Sequence, residues 1–415
     1  MLRETRYRDG MTGGAEPVKI RGHLPGLDGV RGVAILLVMA VHFVGNATPH
    51  TFGERLAVKL GNYGVLGVDL FFVLSGFLIT GLLLDAKGGR HYFRNFYARR
   101  TLRIFPLYYF VLGLLLVVLP RFATLPPPLE EARLHQAWLW TYTANFYIAA
   151  KASWALTYLS HFWSLAIEEH FYLLWPLIVF TVSRKALARV CVAVLVAGFT
   201  LRAWLALAGV SELSISVLTP CRVDTLCVGA LLAVLARREG AADFLVGHSA
   251  PAAIVIGAAT FLLSLWCATT GIGLPVLHQL RGSLFALFFG ALTLTSLRDP
   301  RRSLAAQVFQ SRWLRIFGKY SYGLYVYHAL ISYQMMTTHF EDRLGAALGS
   351  HSLAIAGQTV LGVALSLGIS VLSYELFEKQ FLALKSLFEV KTMPEAAVTS
   401  IQPEVAAEKA AAIGG

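Results

Sequence analysis

Stretches of about twenty mostly apolar residues recur along nearly the whole chain, and this recurrence limits the fold more than any other feature. A helix needs about 20 such residues to cross the hydrocarbon core of a bilayer. Of the 415 residues, 56% are hydrophobic and only 14% are charged, whereas a soluble domain carries roughly 25% charged residues. The sequence therefore predicts an all-α fold, a polytopic membrane helix bundle in contact with the lipid bilayer.

These stretches predict about ten transmembrane helices. They lie at 29–48, 64–84, 104–120, 163–182, 188–208, 218–236, 250–269, 279–297, 321–340 and 353–376. The chain then divides into an N-terminal segment (1–23), a transmembrane domain (24–385) and a C-terminal tail (386–415). The tail has few bulky residues, a composition typical of disorder.

The basic residues of the loops fall mostly on one side of the predicted bundle. They concentrate in the N-terminal segment and in 87–103, 184–189, 237–238, 298–319 and 379–391. The loops on the other side hold only Arg55, Lys59, Arg121, Arg133, Lys151 and Arg343. Because short cytoplasmic loops carry the excess of Lys and Arg, we expect both termini in the cytoplasm. This placement accounts for the net charge of +12 without nucleic acid, whose binding needs a basic face exposed to water.

One long segment, 121–162, is predicted on the external side. Within it, residues 137–149 are rich in aromatic side chains but too few to span a bilayer. An interfacial or re-entrant helix is therefore expected there. We expect the choice of substrate to depend on this segment and on the mouth around it.

The four cysteines are expected to pack in the core. Cys191, Cys221, Cys227 and Cys267 all lie inside apolar stretches. Their spacing fits neither a zinc motif nor a disulfide framework. No metal is expected.

Ionisable residues within apolar spans are costly, which makes them functional candidates. The first span holds Arg31 and His42, eleven residues apart. At about 100° per residue both side chains project from one face, and they stand roughly 17 Å apart along the helix. Arg31 would lie near the cytoplasmic surface and His42 beyond the midplane. The alternative is an arginine that only sets topology and a buried, hydrogen-bonded histidine.

A carboxylate is predicted beside His42. The second span runs in the opposite direction and places Asp69 about five residues from its outer end, while His42 lies about six residues from the outer end of the first span. Two adjacent antiparallel helices would bring these groups to a similar depth. A carboxylate fixes the tautomer of a histidine and raises its basicity, as a general base requires. The alternative role of Asp69 is to cap the second helix.

Further charged residues are predicted at the same level. Glu168 lies about five residues from the outer end of the fourth span, with Ser164 one turn before it on the same face. Glu169 would point elsewhere, because neighbouring side chains on a helix diverge by about 100°. Arg222 and Asp224 open the sixth span, either as part of this cluster or as a structural ion pair.

A basic cluster is predicted at the inner face. Arg100 and Arg103 precede the third span, and they are neighbours on one face if the helix extends backward, with Arg31 at a similar height. Guanidinium groups suit phosphate oxygens, so this cluster fits a polyanionic cofactor. On spacing alone, it is an equally good interpretation that the two arginines only set topology and that their side chains reach the membrane interface. His328 lies in an aromatic stretch of the ninth span, a pattern common in membrane helices.

Taken together, these motifs resemble the acyltransferase 3 family of bacterial integral-membrane acyltransferases. The matching motifs are, in order, GVRGVAILLVMAVHF with its Arg-x10-His spacing, GVDLFFVLSGFLIT, RRTLRIFPLYY, HFWSLAIEEHFYLLWP and SYGLYVYH. They extend over about 24–385. The C-terminal SYELFEKQF resembles the closing motif of the family, with Gln380 where a proline is usual.

The resemblance implies an enzyme of the bacterial cytoplasmic (inner) membrane that takes an acyl group from cytoplasmic acyl-CoA. Its acceptor would be a hydroxyl of a cell-envelope or exported glycan or small molecule. His42 would be the catalytic base, and Glu168 would stand at the SLxxE position of the family. Arg31, Arg100 and Arg103 would bind the donor.

Two other functions remain open on the sequence. A transporter of lipid-linked or exported saccharides also needs charges inside the membrane, but it is expected to carry repeat symmetry and broken helices. A regulatory membrane protein without activity would tolerate the loss of His42.

Overall fold

The structure is a computed structural model that describes residues 22–270 and 274–388. Ten helices overlap the predicted spans and are numbered α1 to α10: Pro25–Ala40, Leu66–Ala86, Tyr92–Gly113, Trp163–Thr181, Arg184–Leu207, Val223–Leu235, Ala241–Thr270, Pro275–Thr295, Ser321–Thr337 and His351–Ser373. No strand occurs in this part of the chain, and the predicted all-α class is confirmed. The predictions for residues 1–21 and for the tail beyond residue 388 lie outside the described residues.

Seven helical stretches among the described residues are long and apolar enough to cross a membrane. They are Pro25–Gly45, Phe52–Ala86, Tyr92–Arg121, Arg184–Leu207, Ala241–Cys267, Pro275–Thr295 and His351–Phe388. They confirm a multi-pass membrane protein. The three remaining predicted spans, α4, α6 and α9, are helices of 19, 13 and 17 residues. A total of about ten crossings stays a prediction, as does the cytoplasmic location of the termini.

The segment between α3 and α4 differs from the single interfacial or re-entrant helix expected at 137–149. It forms two short helices there, Ala137–Trp140 and Ala144–Lys151. The break falls at Tyr142, whose φ of 56° is left-handed and cannot continue a helix. Leu139 and Ile148 are fully buried, and the Tyr108 hydroxyl of α3 donates to the Leu139 carbonyl at 2.7 Å. The segment therefore folds back onto the bundle.

Three apolar clusters fill the bundle. The first joins α1, α3 and α9 to the segment between α3 and α4. The second packs α2, α3, α4, α5 and α6 together, and the third packs α1, α2, α6 and α8. Cys191 and Cys227 lie in the second cluster, as expected for core packing, and all four cysteines are free thiols.

Helices α2 and α6 cross with their backbones in direct contact. A Cβ atom at Gly76 of α2 would lie 1.8 Å from the carbonyl oxygen of Leu226, and one at Gly229 of α6 would lie 1.8 Å from that of Val73. No side chain fits in such a space, so both positions require glycine. Small residues allow membrane helices this close approach. The crossing fixes α2, which lines the cavity described below.

Helix α1 ends in a π-helical turn, Val41–Gly45, that carries His42. Such turns are frequent at functional sites. The short helix Phe52–Asn62 packs against the turn, since a Cβ at its Gly61 would meet the Gly45 nitrogen at 2.9 Å. The turn ends the α-helical phase at Ala40, two residues before His42.

Candidate active site

A cavity of about 580 Å³ lies between α1, α2, α3, α4 and α9. Its walls are largely apolar, with polar groups concentrated on a few positions. The polar lining includes Arg31, Ser75, Arg99, Arg100, Arg103, Ser164, Glu168, Tyr172, Arg237 and Tyr325. Sites for small molecules and cofactors typically have this size, with mostly apolar walls and a small number of polar groups.

The predicted basic cluster forms part of this cavity. Helix α3 does extend backward to Tyr92, and Arg100, Arg103 and Arg31 line one space. Arg31 donates to Asp28 at 2.8 Å, whereas among the described residues neither Arg100 nor Arg103 forms an ion pair with a carboxylate. The guanidinium of Arg100 lies 6.0 Å from the centre of the Tyr172 ring. Unpaired guanidinium groups in a cavity suit an anionic ligand.

Arg237 also lines this cavity, although no sequence motif pointed to it. It donates to both carboxylate oxygens of Asp85, at 3.0 and 2.7 Å. This bidentate pair joins the end of α6 to the end of α2. Since Arg237 already has a carboxylate partner, it contributes less to an anion site than Arg100 and Arg103.

Glu168 and Ser164 both line the cavity, as their spacing on one helical face predicts. The Glu168 carboxylate lies beside Ser75 and Tyr172, whose hydroxyl groups are 2.6 Å apart. The Ser164 hydroxyl is 2.5 Å from the hydroxyl of Tyr325. Glu168 was expected beside His42. It lies instead in the same space as the arginines of the cavity.

Glu169 does not line the cavity, but the expectation that it would turn away from the bundle interior is wrong, because its side chain is largely buried. One of its carboxylate oxygens is buried and has no hydrogen-bond partner among the described residues. It lies within electrostatic range of Arg100. Glu169 therefore lies beside the site but is not part of the cavity wall.

His42 belongs to a separate cluster of three histidines. Its Nδ1 atom donates to the Val38 carbonyl at 2.8 Å, which leaves Nε2 as the atom able to accept a proton. The His42 ring meets the His328 ring edge-on, with centres 4.6 Å apart. His161 lies 5.5 Å from His328 between ring centres. The Nε2 atom of His328 and the Nδ1 atom of His161 are buried and find no hydrogen-bond partner within residues 22–270 and 274–388.

The histidine cluster and the cavity meet at Tyr325. This residue lines the cavity, its hydroxyl donates to the His161 carbonyl at 2.8 Å, and its ring lies 5.6 Å from that of His328. His42 does not line the cavity, although Arg31 does. The cavity that Arg31 lines therefore does not include His42, and a single stripe that joins the two residues stays a prediction; His42 itself lies in the π-helical turn Val41–Gly45.

Asp69 is not the partner of His42. Its carboxylate forms an ion pair with Arg222, and Val38 takes its place as the group that orients His42. The alternative of an Arg222–Asp224 pair is also wrong, since Asp224 pairs with Arg202 at 2.5 Å. Both pairs are largely buried. They join α2 to the start of α6, and α5 to α6, as structural contacts.

Sequence reasoning missed His161 and Tyr325 and gave His328 little weight. A usable signal was present in the helical phase. His161 and Ser164 are three residues apart, and so are Tyr325 and His328, spacings that place side chains on one helical face. Each histidine therefore lies one turn from a hydroxyl group that lines the cavity.

A family match identifies the class of protein to which this bundle belongs. The family of the acyltransferase domain matches residues 24–375. The chain therefore belongs to the acyltransferase 3 family, as the motifs predict, and it carries the acyltransferase domain of that family.

Similarity to individual proteins extends over a large part of the chain. It is 28% identical over 345 residues to the peptidoglycan O-acetyltransferase OatA of Listeria monocytogenes, which covers 79% of this chain and 50% of that protein. It is 28% identical over 337 residues to the O-acetyltransferase OatA of Staphylococcus aureus, which covers 74% of this chain and 50% of that protein. The chain thus spans about half the length of these curated relatives. No solved structure matches it.

Proposed function

We propose that this protein transfers an acyl group, most simply acetyl, from acyl-CoA to a hydroxyl of a cell-envelope or exported glycan or small molecule. One observation carries the proposal: a cavity with unpaired arginines borders a cluster of three histidines, and Tyr325 is common to both. Membership of the acyltransferase 3 family supports the reaction class. The names of the two relatives support an acetyl group and, for one of them, a peptidoglycan acceptor.

The arginine cavity is the proposed donor site. Arg31, Arg100 and Arg103 would bind the phosphate groups of acyl-CoA, because guanidinium groups donate paired hydrogen bonds to phosphate oxygens. The apolar walls would receive the pantetheine arm and direct the thioester towards Ser164 and Tyr325. Glu168, which lies within electrostatic range of both Arg100 and Arg103, would hold the two guanidinium groups in place.

The histidine cluster is the proposed proton-accepting site. Nε2 of His42 would remove the proton of the acceptor hydroxyl as its oxygen attacks the thioester carbonyl carbon. The carbon–sulfur bond then breaks, and the leaving thiolate of coenzyme A takes up a proton. The products are an ester and free coenzyme A. His328 would restrict the His42 ring from one side through their edge-on contact.

The proposed direction of transfer runs from the cytoplasm outwards. The arginine-rich start of α3 belongs to a loop that the distribution of basic residues assigns to the cytoplasm. Arg31 and His42 lie near opposite ends of the first helix, so donor and acceptor would approach from different sides. The sequence left open a transporter of saccharides, and none of the contacts described here favours that function.

The experiment that tests this function is mass spectrometry of envelope glycans and exported metabolites from a strain that lacks the gene. We expect the loss of an O-acyl group, most simply O-acetyl, from one hydroxyl, and its return when the wild-type chain is supplied. Unchanged acylation together with accumulation of an undelivered saccharide precursor would instead support the transporter.

A further inference from the structure

Two histidines and a glutamate form another polar cluster, apart from both the cavity and the three-histidine cluster. His50 and Glu54 lie at the start of the short helix Phe52–Asn62, and His351 opens α10. One potential ligand atom from each residue lies within 4.8 Å of the other two. We propose that His50, Glu54 and His351 bind a zinc ion, and that Glu341 holds His351 in the orientation required. The sequence alone predicts no metal.

Glu54 is fixed in place before any metal binds. Its side chain is only 4% exposed. One carboxylate oxygen accepts the backbone N–H groups of His50 at 2.7 Å and Thr51 at 3.0 Å, and the other accepts the Ser352 hydroxyl at 2.6 Å. Because a carboxylate offers about four acceptor positions, Glu54 keeps the capacity to bind a cation.

His351 lies between two carboxylates without a proper hydrogen bond to either. Its Nδ1 atom is 3.3 Å from Glu54 and its Nε2 atom is 3.1 Å from Glu341. Both nitrogens are nevertheless buried and lack a partner in hydrogen-bonding geometry among the residues that the structure describes. A buried polar atom without a partner is unfavourable. A metal ion between Nδ1 and Glu54 would give the Nδ1 lone pair a partner.

Glu341 would then act through the other nitrogen of the same ring. Histidines that bind a metal usually donate the remaining N–H to a carboxylate, which fixes the tautomer and the ring orientation. The Glu341 carboxylate already accepts the Thr48 N–H at 3.2 Å and the Gln358 amide at 3.4 Å. It is therefore held where the Nε2–H of His351 can reach it.

The donor set favours zinc over calcium and magnesium. The ring of His50 stacks on that of His351 with centres 3.8 Å apart, so the two imidazoles lie close together. Two imidazoles and one carboxylate suit zinc, whereas calcium and magnesium prefer oxygen ligands alone. His50 is exposed, which gives the ion a path from solvent.

A zinc ion at this site would connect parts of the chain that are far apart in sequence. Its ligands come from the loop after the π-helical turn that carries His42, from the first turn of helix Phe52–Asn62 and from the start of α10. It would hold helix Phe52–Asn62, which packs against that turn, in a fixed position. The proposed role is structural, and it does not depend on the donor or the acceptor of the acyl group.

The test is a zinc titration of the full chain, purified in detergent through an affinity tag that contains no histidine. A chromophoric chelator competes for the metal, and elemental mass spectrometry gives the zinc content. We expect about one zinc ion per wild-type chain and loss of that ion in His50→Ala and in His351→Ala. Glu341→Gln should weaken zinc binding by about 10–100-fold.

His339→Ala is the matched control, because His339 is an exposed histidine two residues before Glu341 whose ring pairs with Asp342 at 3.5 Å. It should bind zinc as the wild type does. If His351→Ala does not fold, His50→Ala decides the question alone, since its side chain is exposed. A wild-type chain that binds no zinc, or a His50→Ala variant with wild-type affinity, would overturn the proposal.

Discussion

Removal of Arg100 and Arg103 is expected to weaken the binding of acyl-CoA while the protein stays folded. Both guanidinium groups line the cavity and form no ion pair with a carboxylate among the described residues, so their loss breaks no salt bridge, although Glu168 lies within electrostatic range of both. A hydrogen bond to a charged group contributes about 1.5–3 kcal/mol. Each single alanine variant should therefore bind coenzyme A roughly tenfold to more than a hundredfold more weakly. The two effects need not add, because neighbouring sites are coupled.

Isothermal titration with coenzyme A and with acetyl-pantetheine, which lacks the nucleotide phosphates, separates a lost phosphate contact from a damaged fold. The alanine variants should lose affinity for coenzyme A but bind acetyl-pantetheine as the wild type does. Lysine variants should recover part of the loss, because an ammonium group cannot bind phosphate in the bidentate way. Arg94→Ala is the control on the same helix, since Arg94 is exposed and does not line the cavity. Wild-type affinity for coenzyme A in the Arg100/Arg103 double variant would refute the assignment and leave these residues with a topological role.

Three further perturbations test the fold around the site. Asp69→Asn should destabilise the protein by about 3–5 kcal/mol, because it leaves Arg222 buried without its partner. Thermal unfolding in detergent measures this loss, and an unchanged midpoint of unfolding would contradict a structural role of the pair. Gly229→Ala should reduce the yield of folded protein, since its Cβ would meet a carbonyl oxygen at 1.8 Å, whereas Gly113→Ala, with nothing within 4 Å, should not. In a cysteine-free chain, single cysteines in loop 298–319 should resist labelling from outside intact cells, and labelling there would invert the topology.

Periodicity and hydropathy predicted the helices and the basic part of the site. They succeed because a helical phase fixes which side chains share a face, and an apolar stretch fixes where a helix runs. Arg100 and Arg103 therefore meet Arg31 as expected. Glu168 and Ser164 likewise line one cavity, and Glu169 does not.

Contacts between helices could not be predicted in the same way, because they depend on which helices become neighbours. Asp69 lies at a depth compatible with His42, yet it pairs with Arg222, and Asp224 pairs with Arg202. The π-helical turn that carries His42 has no signature in the apolar pattern. Glu54 and His351 come together although they are almost 300 residues apart in sequence. The Ser352 hydroxyl, next to His351, donates to Glu54 across 298 residues.

The rate of acyl transfer by His42→Ala tests the central claim most directly. Purified wild-type and variant chains in proteoliposomes would be supplied with labelled acetyl-CoA and with the acceptor identified from the deletion strain. General-base catalysis contributes about 10²–10⁴-fold, so the variant should lose at least a hundredfold in rate while it binds coenzyme A normally. His248→Ala is the matched control, because the Nδ1 atom of His248 makes the same 2.8 Å bond to a backbone carbonyl four residues earlier, but that residue lies outside the three-histidine cluster. Wild-type turnover in His42→Ala would contradict the proposed mechanism, and loss of turnover in that variant alone would support it.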